Sequence, residues 1–198
     1  MARSVPKPED PIARFNRWFD QARRAKVPLA EAMAVATAGR DGQVSVRFLL
    51  LKQADELGFV FYTNRRSPKG RDLSENPRAA LAFYWDATGK QVRAAGRVEE
   101  VSAEEADAYW ATRPRQSQLS GSVSKQSEKL GSRAELLAAV NRLRATVKGS
   151  DIPRPPHWTG FRLIPDEIEF WTRRSHRLHE RDLFVRTPTG WKRTLLQP

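Results

Sequence analysis

Cysteine is absent from the 198 residues, which excludes disulfides, thiolate nucleophiles and cysteine-ligated metals. Histidine occurs three times, and although His176 and His179 fall close together, their spacing alone does not build a metal site, so none is expected. No apolar run approaches the roughly 20 residues of a membrane span, and the N-terminal stretch lacks the apolar centre of a signal peptide. A cytoplasmic protein without membrane contact is the expectation. Neither Gly-x-x-x-x-Gly-Lys nor Gly-x-Gly-x-x-Gly occurs, so nucleoside triphosphates and Rossmann-type dinucleotides lose support. The Gly-x-Ser-x-Gly elbow of serine hydrolases is missing too.

Basic residues are what the chain has in excess: 35 Lys and Arg against 23 Asp and Glu, a formal charge of +12. Such a balance draws in nucleic acid or small phosphorylated ligands. Acidic residues are interspersed throughout rather than leaving a basic stripe or tail, which disfavours nucleic acid. Apolar content of 39% and six Trp predict a globular core, and the length suits one domain. Residues 1–9 read as a flexible arm and 10–198 as a single domain.

Residues 47–69 place apolar backbone and positive charge together. Two apolar runs, 48–51 and 59–62, flank a segment of turn composition at 55–58 and read as neighbouring strands of one hairpin. Groups that can hold an anion bracket them: Arg47 and Lys52 around the first, Tyr62, Thr63, Ser67 and Lys69 at or beyond the second. Upstream, Ile12, Phe15, Trp18, Phe19 and Ala22 recur at helical spacing behind Asp10 and Pro11, predicting an amphipathic helix to about Lys26. An Asp-Gly turn at 41–42 predicts a hairpin between 34–37 and 44–51.

A short helix is expected after Ser67, ended by Asn76 and Pro77, then strands over 79–85 and 91–101. Ser102 with Glu105, and Ser132 with Glu135, form capping boxes; Leu136, Leu137, Val140, Leu143 and Val147 supply the second helix's buried face. Between these helices, 113–127 holds almost no apolar residue. It reads as a polar linker or as a loop wrapping a polar ligand, and its place between capped helices favours the loop. Closing strands are expected over 158–164, 168–171, 183–186 and 191–196. The sum is α+β: a mostly antiparallel sheet, closed as a small barrel, with flanking helices.

Cationic and hydroxyl side chains thus gather in three stretches, 47–69, 109–127 and 173–181, a pattern suited to two phosphate-bearing molecules side by side, one a cofactor carrying the hard chemistry. Seven motifs in order, Arg-Phe-Leu-Leu-Leu-Lys at 47–52, Phe-Tyr-Thr-Asn at 61–64, Glu-Asn-Pro-Arg at 75–78, Arg-Pro-Arg-x-Ser at 113–117, Val-Ser-Lys-Gln-Ser at 123–127, Ile-Glu-Phe-Trp at 168–171 and Arg-Leu-His at 177–179, resemble those of the pyridoxamine/pyridoxine 5'-phosphate oxidase family.

The resemblance implies a homodimer of split β-barrels with FMN at the subunit interface. It implies oxidation of pyridoxamine or pyridoxine 5'-phosphate to pyridoxal 5'-phosphate, with dioxygen reduced to peroxide. Flavin contacts then fall on Arg47, Phe48, Leu49, Leu50, Leu51 and Lys52, on Tyr62, Thr63, Lys69 and Gln91, and on Gln126, Ser127, Trp171 and Arg181. The substrate phosphate falls to Lys52, Tyr109, Arg113 and Ser117, whose charges and hydroxyls suit it. Arg177 and His179 match the pair over the substrate ring, as catalytic and substrate-binding residues. Pro68, Arg173, Arg174, Glu180 and Leu195 depart from the family pattern: Pro68 removes a cation beside Lys69 for which Arg65 or Arg66 could substitute, and the Arg173-Arg174 pair replaces a small turn. The rival readings are a phenazine-pathway type of FMN oxidase and a basic nucleic-acid-binding barrel without cofactor.

Overall fold

The computed structural model describes residues 9–198, so the arm expected over 1–9 lies, apart from Glu9, outside the described residues. Helix α1, Pro11–Arg24, begins where Asp10 accepts hydrogen bonds from the amides of Ile12 and Ala13 at 3.0 and 3.3 Å. Its apolar stripe plugs the sheet: Phe15 meets Phe59 edge-on at 4.9 Å and Phe83 at 5.0 Å, all three fully buried.

The strands β1 (Ala32–Ala38), β2 (Val44–Leu50), β3 (Gln53–Asp55), β4 (Gly58–Asn64), β5 (Arg78–Trp85), β6 (Lys90–Glu100), β7 (Trp158–Thr172), β8 (Glu180–Thr187) and β9 (Gly190–Leu196) form one antiparallel sheet. Its order is β2-β1-β5-β6-β7-β4-β3, with β8 and β9 added beside β7. The Asp41-Gly42 hairpin holds, with Gly42 in the left-handed region at φ 78°.

The hairpin expected between 48–51 and 59–62 does not form. Residues 48–50 pair with β1, while the 55–58 turn joins β4 to the short β3. Between them the chain crosses from one end of the sheet order to the other. The Leu51 amide still donates to Glu31 beside β1 at 2.9 Å, and the Lys52 amide to Val60 of β4 at 2.8 Å. Residues 51–52 therefore carry the chain between the two end strands of the curled sheet.

Residues 158–164 and 168–171 are one strand, β7, rather than two. A bulge opposite Ala95 and Gly96 bends it, and a Cβ at Gly96 would stand 2.0 Å from the Ile164 carbonyl oxygen, so only glycine fits.

Helices α2 (Pro68–Glu75), α3 (Ala103–Thr112), α4 (Arg115–Val123) and α5 (Arg133–Val147) flank the sheet. Ser67, Ser102 and Ser132 cap α2, α3 and α5, the last two as their capping-box spacing predicts. On α5, Val140 is buried but Leu137 is exposed, correcting its assignment to the buried face. The polar segment expected to be a loop is largely α4. It buries Leu119 in a second core with Trp110, Val140, Ile152 and Trp158. Its serines satisfy themselves against the helix: Ser120 donates to the Gln116 carbonyl and Ser122 to that of Gln118, each at 2.9 Å. Among the described residues no helix is long and apolar enough to cross a membrane.

Candidate functional site

Strand β4 ends in Tyr62, Thr63 and Asn64, and the capped first turn of α2 follows at once. That tight sequence folds Lys69 back under the strand. Its ammonium lies 3.2 Å from the Thr63 hydroxyl, 3.1 Å from the Ser67 hydroxyl and 3.3 Å from Gln126 Oε1. The side chain is buried without a carboxylate in ion-pair reach among the described residues. Burial, and after it the Arg47 charge, pushes Lys69 down to about 8 despite the opposing pull of Asp72. Arg47 donates to Thr37 Oγ1 at 2.7 Å, and Thr37 donates onward to Asp72 at 2.6 Å. Two cations and several hydroxyls are thus held by neutral or shared partners, which suits a phosphate.

The same end of β4 opens on a cleft of about 390 Å³ lined by Leu49, Tyr62, Thr63, Arg113, Ser117 and Gln126, among others. Tyr62 stacks on Tyr109 at 4.0 Å and on Trp158 at 5.1 Å, near-parallel in both pairs. Burial first, then Glu105 and Tyr109, push the Tyr62 phenol up to about 12, so it remains a hydroxyl donor. The Arg113 guanidinium lies 4.8 Å over the Trp158 ring and 5.4 Å over that of Trp110. One of its terminal nitrogens donates to the Ser117 carbonyl at 3.3 Å, while its Nε is buried with no partner. The exposed Lys52 ammonium stands 6.0 Å from the Tyr109 ring. Lys52, Tyr109, Arg113 and Ser117 are therefore gathered about one aromatic stack.

The run 47–52 is divided by strand alternation: Arg47 and Leu49 turn inward, Leu51 enters the core, and Phe48 and Leu50 stay exposed on the outer face. Its side chains cannot all line one cavity. Gln126 reaches Lys69, whereas Ser127, at φ 71°, lines a separate groove with Leu130 and Leu136.

Gln91, Trp171 and Arg181 are cross-strand neighbours in one row of β6, β7 and β8. Arg181 donates to Glu169 at 2.7 Å and to the Gln197 carbonyl at 3.0 Å. Burial would raise Glu169, but hydrogen bonds from Arg181 and Arg93 hold it below the usual carboxylate range. His179 packs on Trp171 with ring centroids 4.5 Å apart, and Arg177 is exposed beside it. His176 and Arg177 both occupy the left-handed region, at φ 54° and 62°, a conformation that costs on the order of 1 kcal/mol or more per non-glycine residue.

This second group is not brought to the cleft. Trp158, at the cleft, and Trp171, in the row, stand at opposite ends of β7. Thirteen residues (171 − 158) at about 3.3 Å each give a contour of roughly 43 Å, shortened by the bend. Within one chain the two groups therefore stand apart along β7.

Of the departures, Pro68 takes a first-turn position where no amide hydrogen is needed. Arg65 is engaged by Glu100, whereas Arg66 lines a groove with Gln126 and Ser124. Sequence reasoning missed Asn64, Gln116, Ser120, Ser124 and Trp158 of the cleft, and the Thr37–Asp72 support of Arg47. A signal for α4 was present in its polar residues. Arg113, Gln116, Ser117, Ser120, Gly121 and Ser124 recur at spacings of three and four, one face of a helix.

Residues 19–147 match the family model described as pyridoxamine 5'-phosphate oxidase, and 158–198 that of the pyridoxine 5'-phosphate oxidase C-terminal dimerisation region. A Myxococcus xanthus (strain DK1622) pyridoxine/pyridoxamine 5'-phosphate oxidase is 48% identical over 198 residues, covering 100% of this chain and 96% of that one. One from Rubrobacter xylanophilus is 50% identical, covering 96% and 87%. Among solved structures, PhzG from Burkholderia lata 383, in complex with tetrahydrophenazine-1-carboxylic acid, superposes with a TM-score of 0.91 at 37% identity, covering 100% of both chains. A pyridoxamine 5'-phosphate oxidase-related, FMN binding protein from Nostoc punctiforme PCC 73102 shares the fold at a TM-score of 0.76 and 18% identity, covering 94% and 96%.

Proposed function

The chain belongs to the pyridoxamine 5'-phosphate oxidase family, and from that premise we propose that it oxidises pyridoxamine or pyridoxine 5'-phosphate to pyridoxal 5'-phosphate with FMN as cofactor and dioxygen as final acceptor. The observation that carries the choice of substrate is Arg113: a half-buried guanidinium held over two touching indoles at the wall of a polar cleft, with no carboxylate in ion-pair reach among the described residues. Such a group is prepared for an anion that arrives with its own acceptors.

The residues present fit the cofactor. Lys69, Arg47, Thr63 and Gln126 would hold its phosphate, since their donors are buried or half-buried and short of anionic partners. Leu49 and Tyr62 would flank it, and Gln91, Trp171 and Arg181 would complete its site from a second copy of the chain. When bound, the flavin accepts two electrons from the substrate's 4' carbon and passes them to dioxygen, giving peroxide. Arg113, Lys52, Tyr109 and Ser117 grip the substrate phosphate; Arg177 and His179 orient its ring. The exposed apolar row Val44, Val46, Phe48 and Leu50 on β2 supports a homodimer in which such rows are covered. The protein is read as a single-domain cytoplasmic enzyme.

A second reading, oxidation of a phenazine precursor, is favoured by the likeness to PhzG. The test is peroxide production by the purified protein, expected to be yellow with about one flavin per chain. Turnover of pyridoxine 5'-phosphate but not of unphosphorylated pyridoxine supports the phosphate grip; equal turnover of both, or preference for a tetrahydrophenazine carboxylate, refutes it.

Lys69 makes a separate prediction. A bound phosphate stabilises its charged form, so affinity for FMN should fall as pH rises through about 8, approaching tenfold per pH unit until the bound-state value is reached. In the ligand-free fold the depressed value acts the other way: stability from this group rises between about 8 and the ordinary 10.5. Flavin titrations between about pH 7 and 10 on the wild type and Lys69→Met check it; identical slopes would count against Lys69 as the titrating group.

A further inference from the structure

The loop between β7 and β8 holds two left-handed residues in succession, and its departures from the family pattern meet one another. The Arg174 guanidinium grips the Glu180 carboxylate with two hydrogen bonds, of 2.9 and 2.8 Å. Arg173 reaches across to Asp86 and the Tyr84 hydroxyl at the end of β5, and its amide donates to the Gly89 carbonyl at 2.8 Å. The opening end of the loop is thereby pinned twice, by Arg174 to the first residue of the closing strand and by Arg173 to the β5–β6 connection. Inside it, the Arg174 amide donates to His179 Nδ1 at 3.2 Å. An imidazole whose Nδ1 accepts must, when neutral, carry its proton on Nε2. Trp171 supports the same ring from the strand.

We propose that Arg174 and Glu180 form a latch, anchored by Arg173, that fixes His179 in the Nε2–H tautomer and sets Arg177 beside it; the three are positioning residues for the ring-facing pair. The proposal rests on the function given above for its catalytic consequence, but not for its geometry. The ion pair is exposed on both sides, so its removal should leave folding and the melting temperature nearly unchanged. It acts by choosing one loop conformation from several. A Nε2–H donor aimed at the substrate ring can meet an acceptor there; the other tautomer cannot.

The experiment is nitrogen NMR of the purified protein labelled in histidine, with the other two signals identified by His157→Gln and His176→Gln, alongside steady-state kinetics. The wild type should show an unprotonated Nδ1 for neutral His179. Arg174→Glu and Glu180→Arg, singly, should give mixed tautomers and lower kcat about tenfold, with little change in a KM set by Arg113. The double exchange R174E/E180R should restore both. Glu180→Gln, which keeps the shape and removes the charge, should behave as the single exchanges do. An unshifted His179 signal, an unchanged kcat in the single variants, or a double exchange that fails to restore either would overturn the latch. If the wild type oxidises no phosphorylated B6 vitamer, the proposed function fails, while a tautomer shift reversed by the double exchange still supports the latch.

Discussion

Replacing Arg113 by alanine is expected to raise the KM for pyridoxine 5'-phosphate at least about thirty-fold while leaving the protein yellow, because losing a buried charge-assisted phosphate contact costs about 2 to 5 kcal/mol. The guanidinium is already oriented before any ligand arrives, held over Trp158 and Trp110 and tied to the Ser117 carbonyl. Little side-chain entropy remains to be lost on binding, so most of its interaction should appear in affinity. Lys52, which is exposed, is the other cation of that group and cannot substitute for a fixed planar fork. Lysine at 113 should recover only part of the loss, since it supplies charge without the paired geometry. Flavin absorbance and KM, measured on the same preparation, decide the matter. Loss of flavin with an unchanged KM in the remaining holoenzyme would assign Arg113 to the cofactor instead.

Mixing two impaired chains is expected to restore activity, assayed at substrate well below the raised KM of Arg113→Ala so that neither parent contributes appreciably. If Arg113 of one chain works with Arg177 of the other, a hybrid of Arg113→Ala and Arg177→Ala holds one doubly damaged site and one intact site. Equal amounts assembling at random give about half hybrids, hence about a quarter of wild-type activity. If both residues served a site within one chain, no hybrid would hold an intact site and mixing would restore nothing. The first outcome is expected from β7, whose ends carry Trp158 with the cleft and Trp171 with His179. Co-expression of the two variants, with hybrids isolated by a tag on one chain, measures it.

Local rules read well where the signal and the structure share a scale. Asp10 and the three serine caps mark helix starts because a cap is made within three residues of itself. The 55–58 turn was likewise legible. What it joins was not, because Phe48, Leu49 and Leu50 satisfy their ladder against β1, and the short β3 that feeds the turn carries only Gln53, Ala54 and Asp55. Segment 113–127 misled for the opposite reason: apolar content is a poor guide to a helix that buries one leucine and turns its polar face to a cleft. The candidate residues were named from motifs, yet where the fold places them relative to one another was not legible. Nothing local says that Gln91, Trp171 and Arg181 lie in one row at the far end of a strand from Lys52 and Arg113.

That strand also fixes a length between its two ends. Where two copies complete each other's half-sites about a two-fold axis, the two reaction centres are separated by the span from one end of β7 to the other. The bulge opposite Gly96, where a Cβ would strike the Ile164 carbonyl, sets the bend in that span. Spacing between the centres is accordingly a property of backbone register, to be read as a flavin-to-flavin distance, and a side chain at 96 would alter it without touching either centre.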